Sequence, residues 1–190
     1  MSVAVVLLRA LSLLFLASPM LLARRAFRST RHAPSRIAGG RLALLANFGA
    51  FIVFFPTLFI FAQSTQGLAA LGLGIVGCAI AATGSAIVWR SRSELGPAWS
   101  LLPKAGDQTG LVTTGPYRVV RHPIYLGLSV STVGLAVAFG NAPALLVVLS
   151  CVVPSFLWRA LVEERLLIGV FGAQYDSYRE KTKMIVPYVL

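Results

Sequence analysis

Residues Pro123–Trp158 read PIYLGLSVSTVGLAVAFGNAPALLVVLSCVVPSFLW. Two apolar runs, Pro123–Phe139 and Ala142–Trp158, flank Gly140, Asn141 and Pro143. Clustered Gly, Asn and Pro punctuate a chain as a turn, so this stretch predicts a tight hairpin of two helices. Each run has 17 residues, at the short end of what crosses a bilayer as a helix. Upstream, Val3–Ala23, Leu42–Ala62 and Leu68–Trp89 each hold about the 20 residues that a membrane-spanning helix needs. The expectation is an all-α integral-membrane protein with five transmembrane helices.

Composition agrees. Of 190 residues, 57% are apolar and only 12% are charged, with a mean hydropathy of +0.80. A soluble domain carries about a quarter charged residues, so this chain lacks the polar surface to cover itself in water. The net charge of +11 invites a nucleic-acid partner, but the distribution argues for a membrane. Arg24, Arg25, Arg28, Arg31, Arg36 and Arg41 lie between spans 1 and 2. Arg90, Arg92, Lys104, Arg118 and Arg121 lie between spans 3 and 4, and Arg159, Arg165, Arg179, Lys181 and Lys183 follow span 5. The two remaining loops have none, and five crossings put all three basic segments on one side. Short loops rich in Lys and Arg stay cytoplasmic. The N-terminus is therefore expected outside, and the C-terminus and polar loops in the cytoplasm of a bacterial-type inner or plasma membrane. Arg9 is the exception, close enough to the outer end to snorkel to the interface.

Met1–Ala23 also fits a cleaved leader in length, but its charges follow the apolar run instead of preceding it; the expectation is an anchor. Cys78 and Cys151 fall inside spans without a CxxC pair or neighbouring His, so neither a metal site nor a disulfide is expected. No internal repeat is visible, and the chain reads as a single membrane domain. Within it, residues 1–92 form an N-terminal three-helix unit and residues 93–190 a core of hairpin and tail. Gly77, Ala81 and Ser85 recur every four positions in span 3. Such a stripe lets helices pack closely in lipid, or lines a groove for a lipid tail. The Arg-rich segment 24–41 suits contact with anionic headgroups.

Two polar constellations remain. The first is Gly115–Gly127, GPYRVVRHPIYLG, at the end of a loop punctuated by Pro97 and Pro103; within that loop, Leu111–Thr114 reads as a short extended piece. Pro123 suits the first turn of a helix, which puts His122 at a helix N-terminus where backbone N–H groups and the dipole attract anions. Arg118 and Arg121 add charge there, while Tyr117 and Tyr125 flank it. An interfacial Tyr/Arg belt accounts for the aromatic and basic residues but not for the His-Pro step. The second is WRALVEERLL from Trp158. Arg159 and Glu163 are four apart and share a helix face; an ordinary solvated ion pair is the plain reading. Yet Glu163 and Glu164 are two of only six acids in the chain. A carboxylate pair beside a basic cluster complements a zwitterion carrying an ammonium or sulfonium.

Together, GPYRVVRHPIYLG and EERLLIGVFGAQYDSYREKT, which starts at Glu163, resemble the isoprenylcysteine carboxyl methyltransferase family. That family is part of a wider group of small integral-membrane methyltransferases that includes phospholipid methyltransferases. The resemblance spans about residues 93–187 and implies S-adenosyl-L-methionine as cofactor, in a cytoplasmic pocket formed by the loop before helix 4 and the C-terminal helical tail. It implies that Leu111, Val112, Tyr117, His122, Pro123 and Tyr125 line that pocket, with Thr109 and Gly110 in pocket-forming loop positions. Glu163, with Glu164 beside it, is implied to accept from the cofactor's ammonium. Arg159 is implied as the catalytic residue that holds the acceptor, a lipophilic or lipid-anchored molecule entering from the bilayer for in-line methyl transfer. No metal and no nucleic acid is expected. A carboxylate or thiolate acceptor needs no general base, whereas an amine needs a proton sink. The chain departs from the family in having Pro at 116, an acidic cluster of two residues and a short, prokaryote-like plan. Two other classes stand beside this one: an NADPH-dependent reductase of sterol or isoprenoid double bonds, and a small non-enzymatic membrane protein.

Overall fold

The structure, a computed structural model, describes residues 2–27, 39–62, 67–96 and 110–186. Among these residues it is helical, without strands. Seven helices follow in order: α1 Val3–Phe27, α2 Gly40–Ile60, α3 Gly67–Leu95, α4 Pro123–Ala138, α5 Ala142–Val147, α6 Val153–Phe171 and α7 Ala173–Lys181. A π-helical turn, Val148–Val152, joins α5 to α6, so that Ala142–Phe171 is one 30-residue apolar helix. Helices dominate because an apolar solvent offers backbone N–H and C=O groups no partners, and a helix satisfies them internally. Among the described residues, α2, α3 and Ala142–Phe171 are long and apolar enough to cross a membrane, while Val3–Ser18 and α4 are shorter apolar helices. Leu7, Leu45, Ile52, Phe59, Leu68 and Leu149 are exposed on the outside of the bundle. The chain is an integral membrane protein.

The hairpin forms as the sequence predicts. Gly140 takes φ +60°, a left-handed value that suits glycine, and turns α4 into α5. Asn141 caps α5 by accepting from the Ala144 N–H at 2.8 Å. Its amide donates to the carbonyls of Thr57 and Leu58 at 3.1 and 2.9 Å, fastening the turn to the end of α2.

The small-residue stripe of α3 packs against α4. A Cβ on Gly77 would lie 2.2 Å from the Ala138 nitrogen, and one on Gly84 would lie 2.4 Å from the Gly127 carbonyl. Only backbone fits there, which favours packing over a lipid groove. Ser131 Oγ donates across this seam to the Ala81 carbonyl at 3.2 Å, and Ser85 Oγ donates to Phe15 of α1 at 2.6 Å.

Arg9 differs from expectation. It does not snorkel outward but lies buried, its Nε donating to the Ala138 carbonyl and its Nη2 to that of Phe139, both at 3.3 Å. Its guanidinium sits 5.1 Å from the Phe139 ring centroid. The last carbonyls of a helix lack partners within it, and a cation there satisfies them and the dipole together.

Candidate active site

Pro123 is the first residue of α4 and His122 its N-cap. From this end α4 presents Tyr125 one turn in, while α6 presents Arg159 and Glu163 from the other side. Arg159 Nε donates to the Tyr125 hydroxyl at 2.7 Å and to Glu163 Oε1 at 3.2 Å. The Tyr125 hydroxyl in turn donates to Glu163 Oε1. The Tyr125 ring is stacked between His122, with centroids 5.7 Å apart, and Phe156, at 5.3 Å. His122 is buried, and its Nδ1 lies 3.7 Å from Glu163 Oε2. Five side chains from two helices thus converge on one spot at the polar end of the bundle.

Glu164 faces a different task. It is buried and accepts from Arg121 Nε at 2.6 Å, with Arg179 Nε at 3.7 Å and His122 Nε2 at 3.6 Å. The Arg121 Nη1 also donates to the carbonyls of Arg179 and Thr182. Backbone bonds continue the seam: the N–H groups of Arg121 and His122 donate to the carbonyls of Lys183 and Met184 at 2.8 and 2.9 Å. The chain after α7 therefore runs beside Val120–His122 and clasps it. On the other flank, a 3-10 turn, Gly115–Arg118, places Tyr117 inward. Its carbonyl accepts from the Tyr178 hydroxyl at 2.6 Å. Burial pushes the Tyr178 phenol up to about 12 and raises that of Tyr117 as well, so both stay protonated and able to donate at neutral pH.

The residues singled out in the sequence fall into three groups. His122, Tyr125, Arg159 and Glu163 come together, Pro123 follows His122 as the start of α4, and Tyr117 and Glu164 sit beside them in the clasp. Gly110 is exposed, and Leu111 and Val112 are half-buried in an irregular segment leading to the turn; Leu111–Thr114 is not extended into a strand. Thr109 lies outside the described residues. Arg118 is exposed, whereas Arg121 is committed to Glu164. Sequence reasoning missed two participants. Phe156 backs Tyr125, and nothing distinguishes it among apolar neighbours. Glu94, in the last turn of α3, accepts from Thr114 Oγ1 at 2.9 Å; its spacing of four from Arg90 and the scarcity of acids were the available signals.

A lateral cleft of about 330 Å³ opens between α2 and the α5–α6 helix, lined by Ala46, Ala50, Val53, Pro154 and Trp158 among others. Its lining is apolar apart from Ser155, which accepts from Asn47 Nδ2 at 2.7 Å.

Comparison with known proteins places this arrangement. The family model for phospholipid methyltransferase matches residues 73–174, from α3 through the start of α7. A protein-S-isoprenylcysteine O-methyltransferase of Saccharomyces cerevisiae is 30% identical over 137 residues, covering 71% of this chain and 56% of the relative. Protein-S-isoprenylcysteine O-methyltransferase A of Arabidopsis thaliana is 39% identical over 83 residues, 44% of this chain and 42% of that one. Methanethiol S-methyltransferase 1 of Bradyrhizobium diazoefficiens is 34% identical over 76 residues, 38% of this chain and 24% of the relative. The chain spans about half the length, or less, of these curated relatives. In fold it is similar to the eukaryotic intramembrane Ras methyltransferase ICMT, with a TM-score of 0.54 and 21% identity over 80% of this chain and 55% of that one. The matched segment contains the hairpin, Tyr125, Arg159 and Glu163, and on that match the chain belongs to the phospholipid methyltransferase family.

Proposed function

We propose that the protein is an S-adenosylmethionine-dependent methyltransferase acting on a lipophilic acceptor at the cytoplasmic face of the membrane. The observation that carries this reading is the convergence of Arg159, Tyr125, Glu163 and His122 within the segment matched by the family model. Five crossings by α1, α2, α3, α4 and the α5–α6 helix leave this site on the side of the basic segments. The core of the activity lies in residues 93–190, and the three helices of residues 1–92 support it.

The residues present fit the cofactor's chemistry. Glu163 offers a carboxylate that keeps 20% of its side chain accessible, suited to an ammonium. Glu163, His122, Tyr125 and Tyr117, with Leu111 and Val112 on the approach, would hold the cofactor; Glu164 supports them from the clasp through Arg121. When bound, S-adenosylmethionine supplies an electrophilic methyl group carried on a sulfonium.

Arg159 brings a guanidinium to the cluster through its bonds to Tyr125 and Glu163, suited to hold an anionic acceptor such as a carboxylate or thiolate. Tyr125 fixes its orientation through the 2.7 Å hydrogen bond. The Phe156 and Tyr125 rings wall the site and exclude water, which strengthens every charge interaction inside it. Orientation of this kind, not proton transfer, supplies the larger part of such a rate enhancement. The names of the relatives, which methylate a prenylated cysteine or methanethiol, support an acceptor of this class.

The test is ligand-dependent melting of the detergent-purified protein. S-adenosylhomocysteine is expected to raise the melting temperature, NADPH to leave it unchanged, and Glu163→Ala to abolish the rise. Equal melting with and without saturating S-adenosylhomocysteine overturns the proposal. Transfer of labelled methyl to a farnesylated cysteine with a free carboxylate, a long-chain thiol and a lipid extract then identifies the acceptor.

A further inference from the structure

Glu94 lies in the last turn of α3, which meets the turn leading to the candidate site. Its two carboxylate oxygens are engaged differently. Oε1 meets Arg90 Nη2 at 2.8 Å, while Oε2 accepts from Thr114 Oγ1 at 2.9 Å. The Arg90 side chain is 68% exposed and that of Glu94 only 20%, so the carboxylate is drawn in toward the turn. Exposed ion pairs one helical turn apart stabilise little, and Arg90 does not account for this placement.

The backbone confirms that Glu94 and the turn are fitted to each other. Gly115 takes φ +59°, and a Cβ there would lie 2.7 Å from Glu94 Cγ and Oε1. Only glycine permits that approach. Thr114, the residue Glu94 holds, accepts the Tyr117 N–H at 3.2 Å and so opens the 3-10 turn. Tyr117 is thereby fastened from two sides: from α3 through Glu94 and Thr114, and from α7 through the Tyr178 hydroxyl.

We infer that Glu94 is a positioning residue, which holds the Thr114–Arg118 turn so that Tyr117 and the residues leading to it form the wall of the cofactor site. It acts through Thr114 and touches no reactant. This rests on the methyltransferase reading for its consequence, but the tether itself is independent of that reading.

The experiment measures S-adenosylhomocysteine affinity and hydrogen exchange of residues 111–120 in the full-length protein and its variants. Glu94→Ala is expected to weaken binding about tenfold, the scale of losing a hydrogen bond to a charged group, and to speed exchange in the ligand-free turn. Thr114→Val should do the same, and the double variant should be no worse than either alone. Glu94→Gln, whose amide oxygen still accepts from Thr114, should recover most of the affinity, and Arg90→Ala should match the parent. Unchanged affinity and exchange in Glu94→Ala, or additive losses in the double variant, overturn the tether. If the parent protein binds no S-adenosylhomocysteine, the methyltransferase reading falls. Faster exchange in Glu94→Ala then still supports the tether, and unchanged exchange overturns it.

Discussion

Tyr125 connects the two halves of the site. Its hydroxyl accepts from Arg159 and donates to Glu163, and its ring lies between His122 and Phe156. Without the hydroxyl, the 2.7 Å bond to Arg159 is lost and the direct Arg159–Glu163 contact is a 3.2 Å pairing of residues four apart. A pair four apart on a helix is worth a few tenths of a kcal/mol, too little to hold a long side chain in one rotamer. Tyr125→Phe is therefore expected to lower kcat/KM for the acceptor by about tenfold to a hundredfold, the scale of a lost charge-assisted hydrogen bond. The melting temperature should fall by a few degrees from the same lost bonds while both ring stacks keep the fold. Steady-state kinetics with labelled methyl donor check this; full turnover in the variant shows that Arg159 needs no such support. The Arg159–Glu163 pairing was legible in the sequence because helical spacing alone aligns two residues four apart. Tyr125 was legible as a site residue but not as the bridge, since that depends on how α4 meets α6. For the same reason nothing in the sequence assigned Arg121 to Glu164 instead of to a ligand.

The π-helical turn between α5 and α6 sets which face α6 turns to the site. Pro154 has no N–H, so the helical bond that residue 154 would make to the Ser150 carbonyl is absent. Instead the Val153 N–H reaches back five residues to the Val148 carbonyl. One extra residue in the turn shifts everything after it by about 100° relative to a regular α-helix. Arg159 and Glu163 face Tyr125 in that shifted register. Deleting Ser150, an exposed residue of the turn, should resolve the widened turn into α-helix and leave both faces where they are, keeping folding and methyl transfer. Deleting Leu161 instead brings Arg159 and Glu163 to a spacing of three and rotates Glu163 by about 100°, which should abolish transfer without reducing helical circular dichroism. Loss of activity in the Ser150 deletion would refute the register argument. The apolar run Ala142–Trp158 reads the same whether its turns are α or π, which is why this feature was invisible in the sequence. The small-residue stripe of α3 was visible because a face recurring every four residues is itself a packing pattern. The length of α3 was underestimated: it continues past Trp89 to Leu95 and stops where Gly96 takes φ +52° before Pro97, a common way to end a helix.

Across the whole molecule, charge and apolarity make one claim together. Of the 17 Lys and Arg residues, all but Arg9 belong to segments that the five crossings proposed above would gather on one side, and Arg9 is buried against the end of α4. On that reading the candidate site, at the start of α4 and in the middle of α6, would lie at the same basic side. The proposed five crossings would put Ser2 and α7 on opposite faces, with α7 in the cytoplasm by the positive-inside rule. Single-cysteine reporters test this in a background of Cys78→Ser and Cys151→Ser. Ser2→Cys is exposed ahead of α1 and Ser177→Cys is exposed on α7. In intact cells a membrane-impermeant maleimide is expected to label Ser2→Cys and to reach Ser177→Cys only after the membrane is opened. Labelling of both from outside, or of neither, means an even number of crossings. Labelling of Ser177→Cys alone means the reverse orientation, which would put Arg159, Tyr125 and Glu163 away from cytoplasmic S-adenosylmethionine and remove the functional reading along with the topology.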